Sequence, residues 1–209
     1  MKISYFSVKA ISIAFLAVFT FVGLSQHSQA ADVEGRVVLN GQEVFLYDDG
    51  TWKYANVKSV RGKKCFSSAI IDGVGVCYKK SMIDAGSGDD WELLLSNKRS
   101  SFYAGWIAEG IPVESEALGD LIISNAGAAA EGGEDGVAVR SREATQVGGR
   151  PFMVMEYFAN VDGIPVTYLN YYSPIDDKGS LQIVFFVGGS DIKPQQKKID
   201  EFLAGMTFE

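Results

Sequence analysis

Very short turns between apolar segments constrain the fold more than any other feature of this sequence. Four segments with strand character lie near residues 137–146, 151–159, 164–173 and 180–187. They are separated only by Gly148-Gly149, Asp162-Gly163 and Asp176–Gly179. Because turns this short reverse the chain at once, each strand must run antiparallel to the next. The C-terminal part of the chain therefore predicts a four-stranded antiparallel sheet.

Two of these strands are apolar on both sides. Residues 181–187 are apolar on both faces, and residues 152–158 are apolar except for Glu156. A strand with this pattern is covered above and below. We therefore expect both strands to be central in a sheet with two covered faces.

Helices that provide this cover are predicted at residues 114–127 and 191–204. The first follows Pro112 and repeats apolar residues at a spacing of three and four, and the second has Pro194 in its first turn and ends at Gly205. The acidic, glycine-rich stretch 126–136 is expected to be flexible. Further strands are predicted near 64–70, 75–80, 91–96 and 101–108. The fold class is α+β, an antiparallel sheet covered by two helices.

The N-terminal 30 residues have the pattern of a Sec signal peptide. Lys2 and Lys9 precede the apolar run Ala10–Leu24, and Ser28-Gln29-Ala30 places small residues three and one before a cut after Ala30. An uncleaved anchor is the alternative, but it requires about twenty apolar residues to span a bilayer. We predict a periplasmic or secreted protein with no membrane span in the mature chain.

Cleavage after Ala30 removes His27, the one histidine of the 209-residue chain. Catalytic Ser-His-Asp and Cys-His arrangements and histidine-ligated zinc are then excluded. Loss of Lys2 and Lys9 takes the formal charge from −7 to −9. This charge argues against nucleic acid or anionic lipid as a partner, and for basic or neutral partners.

Cys65 and Cys77 are the complete cysteine complement. An even number in an exported chain predicts a disulfide, and two buried free thiols are the alternative. The turn near Asp72-Gly73 predicts a hairpin between them. A direct cross-strand bond then requires an odd-numbered loop or a bulge, for which Gly73 and Gly75 would supply the backbone freedom.

Residues 31–57 predict a small three-stranded meander with turns at Asn40-Gly41 and Asp49-Gly50. The second turn is expected to pair Tyr47 with Trp52 and Phe45 with Tyr54, which gives one aromatic face. That face either packs on the main domain or is a recognition surface with the residues Phe45, Tyr47, Trp52 and Tyr54. A linker at 58–63 and an α+β domain at 64–209 complete the predicted organisation.

Candidate residues for chemistry are few. The acidic doublets have the spacing of ordinary turns and not of a calcium loop, so we expect no metal and no cofactor. Glu156 is a buried general acid, the partner of an arginine or a residue that points to a strand edge, and Arg140, Arg142 and Arg150 either pair with it, form an anion site or lie on a solvated face. A set of aromatic residues either lines a ligand pocket or packs in the core: Trp91, Trp106, Tyr168, Tyr171 and Tyr172.

Several motifs resemble those of a known family. They are Ile107-Ala108-Glu109, Val147–Pro151, Gly179–Val184 and Phe202–Met206, within a likeness that spans roughly residues 90–208. Together they resemble the PsbP-like or DcrB-like exported proteins. This resemblance implies an α/β/α sandwich and a non-enzymatic accessory role in larger assemblies. It carries over no functional residue, because the motifs are turns and core positions.

The sequence therefore predicts a non-catalytic binding or accessory protein of the cell envelope, without catalytic residues. It would act on another envelope protein or a small ligand, and not on nucleic acid, through its sheet surface or its N-terminal meander. A small-molecule carrier with an aromatic-lined pocket between sheet and helix is the alternative. An enzyme would need two carboxylates facing each other across a cleft, roughly 5–10 Å apart.

Overall fold

The computed structural model describes residues 33–39, 42–48, 50, 52–54, 62–86 and 91–209. The signal peptide predicted for residues 1–30 lies outside them. The strands and α-helices of the described part are β1 Val33–Leu39, β2 Gln42–Tyr47, β3 Trp52–Tyr54, β4 Lys63–Ser67, β5 Val74–Lys79, β6 Ile83–Asp84, β7 Leu93–Ser96, β8 Tyr103–Glu109, α1 Ser115–Ala129, β9 Ala138–Val147, β10 Arg150–Val161, β11 Ile164–Ile175, β12 Gly179–Gly188, α2 Gln196–Leu203 and β13 Met206–Phe208. Short 3₁₀ turns occur at Gly133–Gly136 and Lys193–Gln195.

A seven-stranded sheet forms the centre of the fold, in the order β6-β7-β8-β12-β11-β10-β9. Its described pairs are antiparallel, including β8 with β12, which joins the two halves of the sheet. The four-stranded meander from β9 to β12 is therefore confirmed. So is the α+β class with an antiparallel sheet and two helices.

β12 is the central strand, as predicted, but β10 lies next to the edge strand β9. Met153, Val154 and Phe158 on β10 are accordingly only partly buried. β10 is covered on both faces, with Phe152 in the main core and Met155 and Tyr157 beneath α1, but it is not at the centre of the sheet. The guanidinium of Arg140 lies 5.3 Å from the centre of the Phe158 ring.

Different elements cover the two faces of this sheet. On one face, Leu118 and Ile122 of α1 pack against Met155, Tyr157 and Tyr172. On the other face, Ile199 and Phe202 of α2 join the main core. A second sheet of three strands, β13-β5-β4, contributes Phe66, Val74, Val76 and Met206 to that same core. The second sheet was not predicted, because β13 has only three residues and shows no periodicity.

Both helix predictions need corrections at their ends. The stretch 126–136 is not irregular: α1 continues to Ala129 and a 3₁₀ turn follows. Glu131 fixes this segment, since its N–H donates to the Asn160 carbonyl and its carboxylate accepts the Gly163 N–H at 2.7 Å. The last α-helix begins at Gln196 and not at Asp191, after the 3₁₀ turn that holds Pro194.

The predicted disulfide joins Cys65 and Cys77, which are direct partners in the β4–β5 hairpin. Ser67 pairs with Gly75, so residues 68–74 form the odd-numbered loop that the cross-strand bond requires. Gly73 has a φ of +77° and supplies the predicted backbone freedom. Gly75 has a different role, because a Cβ there would lie 2.5 Å from the Phe66 carbonyl oxygen.

The N-terminal strands form the predicted three-stranded meander. Leu39 pairs with Gln42, which agrees with a two-residue turn at Asn40-Gly41. The pairs expected around the second turn are wrong. Phe45 pairs with Lys53 and not with Tyr54, and Trp52 pairs with Leu46 and not with Tyr47.

The register is shifted by one residue because the second loop is longer than the two residues expected. A shift of one residue moves every side chain of β3 to the opposite face relative to β2. The observed register thus does not place Phe45, Tyr47, Trp52 and Tyr54 on one face. Their side chains lie outside the described part, and their role in binding stays a prediction.

Candidate functional site

The five aromatic residues predicted to line a pocket lie on opposite faces of the large sheet. Tyr171 and Trp106 belong to the core beneath α2, whereas Tyr172 packs beneath α1. Tyr168 packs on the α1 side as well, and Trp91 lies against Phe186 on that side. Because the sheet separates the two groups, the five residues do not surround one cavity.

Four aromatic residues instead form a straight ladder across the sheet. Tyr103 of β8 pairs with Phe186 of β12, Phe186 pairs with Tyr168 of β11, and Tyr168 pairs with Tyr157 of β10. Their ring centres are 4.7, 5.6 and 4.8 Å apart in that order. Direct cross-strand aromatic pairs stabilise a sheet. We call these four residues together with Trp91 the aromatic row.

Trp91 covers the flank of the row. Its ring centre is 6.2 Å from that of Phe186, and its six-membered ring lies over the backbone of Gly105. A Cβ on Gly105 would collide with Trp91 Cζ3 and Cε3 and would lie 2.9 Å from Cη2. The absence of a side chain at residue 105 is therefore what allows the indole to lie against β8.

The aromatic row is buried at its Tyr157 end and partly exposed along the rest of its length. Helix α1 packs on β10 and β11, and Tyr157 beneath it is buried. Tyr168, Phe186, Tyr103 and Trp91 are half-buried. Burial raises the pKa of both Tyr157 and Tyr168, so these two phenols stay uncharged at physiological pH. The half-buried part of the row thus offers a neutral, rigid aromatic surface.

The segment formed by α1 and the residues on either side of it is strongly acidic. Residues 114–136 contain six Asp and Glu and no Lys or Arg. All six are exposed: Glu114, Glu116, Asp120, Glu131, Glu134 and Asp135. Asp120 is partly neutralised by Arg142, whose Nη2 lies 3.1 Å from the carboxylate. The aromatic row therefore shares its face of the sheet with a negatively charged segment.

Glu156 pairs with an arginine, which was one of the three interpretations of this residue. Its carboxylate is 2.9 Å from Arg140 Nη1, which also donates to the Ser190 carbonyl at 2.8 Å. Arg140 occupies a bulge opposite Glu156 and Tyr157, which brings the guanidinium within reach. Arg142 pairs with Asp120 and Arg150 with Asp176. Each of the three arginines has its own carboxylate, and they do not converge on one anion site.

Substitution of Gly105 by alanine is expected to displace Trp91 from the row. The new methyl group would occupy the volume of the indole ring, and the ring is the part that can move outward. We expect an increased exposure of Trp91, measured as stronger acrylamide quenching of its fluorescence in a Trp52→Phe/Trp106→Phe background. Gly188→Ala is the matched control, since nothing lies within 4 Å of a Cβ there. Equal quenching in both variants would contradict this packing.

Comparisons with known proteins give similarity of fold only. No family model matches the chain, and no curated protein matches it significantly. The solution structure of cyanobacterial PsbP (CyanoP) from Synechocystis sp. PCC 6803 is 12% identical, with a TM-score of 0.49, and the match covers 73% of this chain and 95% of that one. A protein of Bacteroides thetaiotaomicron is 14% identical with a TM-score of 0.47, over 72% of this chain and 49% of that chain. We take no function from either similarity.

Two further properties concern only the part of the chain that the structure describes. Neither of its α-helices combines the length and apolarity needed to cross a bilayer. Within the same residues, no three His, Cys, Asp or Glu side chains are grouped so that they could hold a metal ion.

Proposed function

We propose that this chain is an exported, non-catalytic binding or accessory protein of the cell envelope that docks on a partner protein through its aromatic row. The observation that carries the proposal is the half-buried part of the aromatic row, Trp91, Tyr103, Phe186 and Tyr168, on the sheet face beside α1. Aromatic rings held rigidly in this way contribute much of the binding energy at protein interfaces, because little side-chain entropy is lost when they are covered.

The charge of the neighbouring surface indicates the chemistry of the partner. The acidic segment 114–136 lies beside the row, and the whole chain carries a formal charge of −7. Complementary charge raises association rates and selects against wrong partners. The partner protein is therefore expected to present apolar contacts bordered by Lys and Arg, and its binding should weaken as the salt concentration rises.

Export is part of the same proposal. The Cys65–Cys77 disulfide supports it, since such bonds persist in oxidising compartments and are rare in the cytosol. The N-terminal pattern predicts a Sec signal peptide with a cut after Ala30. Protein isolated from the envelope fraction of the cells that make it should accordingly begin at Ala31.

Capture of the partner by variants of the row tests this function. We expect Tyr103→Ser/Phe186→Ser to lose at least about tenfold of the bound partner, as is typical for the loss of two aromatic contacts at the centre of an interface. Ile83→Ser/Val139→Ser is the matched control, because it removes two exposed apolar side chains on the edge strands β6 and β9. The measurement is quantitative mass spectrometry of proteins retained from the envelope fraction at low and high salt. Equal retention by both variants would contradict the proposal.

A further inference from the structure

A cleft of about 500 Å³ lies on the other side of the molecule, away from the aromatic row. It is formed by the end of β5, the turn between β7 and β8, and helix α2. Its floor consists of Tyr78 and Met82 over the buried rings of Phe102 and Phe202, and Lys79, Lys98, Arg99 and Lys198 lie around it. No residue of the predicted pocket lines this cleft. It joins segments that are far apart in the sequence, which explains why no motif indicated it.

Most of the charge in the cleft is positive and is not neutralised by the protein. Lys79 is paired, since its Nζ is 2.6 Å from Glu201, and this hydrogen bond is the main cause of a lowered pKa for Glu201. Lys98, Arg99 and Lys198 have no carboxylate within ion-pair distance among the described residues. Three uncompensated cations thus face one cleft of a protein whose formal charge is −7.

One of these cations is already positioned over the aromatic floor. Lys198 Nζ lies 5.4 Å from the centre of the Phe102 ring and donates to Gln195 Oε1 at 2.5 Å. The floor itself is rigid, because Phe102 stacks on Phe185 at 6.0 Å and Phe202 meets the same ring edge-on at 5.4 Å. A floor that is already packed in this way loses little conformational entropy on binding.

We propose that this cleft binds a small organic anion, with its anionic group at Lys98, Arg99 and Lys198 and its apolar body against Tyr78 and Met82. The volume falls in the range of small-molecule sites, which are mostly apolar with a few convergent polar groups. Like charges that repel one another in a concave site favour an entering anion. An extended acidic macromolecule is less favoured, because the acidic remainder of the protein repels it.

This inference goes beyond the proposed function. The aromatic row faces the side of α1, while the cleft lies on the side of α2, so failure of one proposal leaves the other standing.

Binding of 4-phenylbutyrate, observed by amide chemical shifts of the ¹⁵N-labelled protein, tests the inference. This probe joins a carboxylate to an apolar body of suitable size. We expect saturable shifts at Ser101, Lys198 and Phe202, which line the cleft. The uncharged 4-phenylbutanol and inorganic phosphate should each bind at least about tenfold more weakly, since each lacks one of the two contacts.

Charge reversal provides the matched pair of variants. Lys98→Glu/Arg99→Glu should weaken 4-phenylbutyrate binding by about tenfold or more, because two attractions to the carboxylate become repulsions. Lys64→Glu/Lys193→Glu changes the net charge equally at exposed positions outside the cleft and should bind as the parent chain does. All four substituted side chains point to solvent, so the fold is expected to be retained.

Several results would overturn the inference. They are the absence of shifts at the cleft with millimolar 4-phenylbutyrate, equal binding of the alcohol or of phosphate, and equal effects of the two charge variants. A hexaglutamate peptide that shifts the same amides at lower concentration than 4-phenylbutyrate would also overturn it, and would assign the cleft to an acidic protein segment.

Discussion

Replacement of Trp106 by alanine is expected to lower the free energy of unfolding by about 3–5 kcal/mol, which is typical for truncation of a buried aromatic side chain. Trp106 is completely buried on β8. Its ring meets that of Phe66 edge-on at a distance of 5.5 Å between centres. Since Phe66 belongs to the second sheet, this contact joins the two sheets of the core. A cavity at residue 106 would therefore weaken both.

Trp106→Phe is the informative control for this prediction. Trp106 Nε1 is buried and has no hydrogen-bond partner among the described residues, which already costs stability. Phenylalanine removes this unpaired N–H and keeps an aromatic ring, so we expect a clearly smaller loss than with alanine. Urea unfolding followed by far-ultraviolet circular dichroism measures both. A loss below about 1 kcal/mol for the alanine variant would contradict the position of Trp106 in the core.

Removal of the disulfide by Cys65→Ser/Cys77→Ser is expected to lower the free energy of unfolding by about 3 kcal/mol. The two residues are 12 apart in the sequence, and the bond restricts the unfolded chain by closing that loop. The β4–β5 hairpin also carries β13 and contributes Phe66 and Val76 to the main core. Removal of the disulfide should therefore destabilise the whole domain, which should still unfold in one cooperative transition.

The parent chain with and without reductant provides the control for this prediction. Reduced parent protein and the double serine variant should have the same urea midpoint, and reductant should leave the variant unchanged. If the oxidised and reduced parent chains unfold at the same urea concentration, the structural role assigned to this bond is wrong.

The strands of the C-terminal half were predictable because local chemistry determines them. Two-residue and three-residue turns with Gly or Asp fix both the direction and the order of β9 to β12. A two-residue turn at Asp162-Gly163 implies that Tyr157 pairs with Tyr168, since the two residues are equally far along the chain from that turn. This signal for the covered end of the aromatic row was present in the sequence and was missed.

The pairing at the other end of the row could not be predicted from the local sequence. Tyr103 meets Phe186 only because β8 pairs with β12 across a long connection that includes α1. The sequence contains no turn that fixes this register. The same limit applies to the cleft, whose walls come from β5, the β7–β8 turn and α2, and to β13, which is defined only by its pairing with β5.

The N-terminal meander shows that a turn motif does not always determine the register of the strands that it joins. Asn40-Gly41 gave the correct register, while Asp49-Gly50 gave one that is wrong by a residue. A glycine with positive φ, such as Gly50 at +77°, also fits loops longer than two residues. The predicted binding surface depended on that register, and the functional proposal accordingly rests on the aromatic row.

Site-specific photocrosslinking in the cells that make the protein tests the central claim most directly. A benzoylphenylalanine is placed at one of three exposed or half-buried positions: Tyr103 in the row, Ile111 in the loop before α1, or Arg99 at the cleft. We expect one dominant protein adduct from residue 103 that is lost in the Phe186→Ser background and is absent from residues 99 and 111. A protein adduct from residue 111 or 99 with none from residue 103 would contradict it.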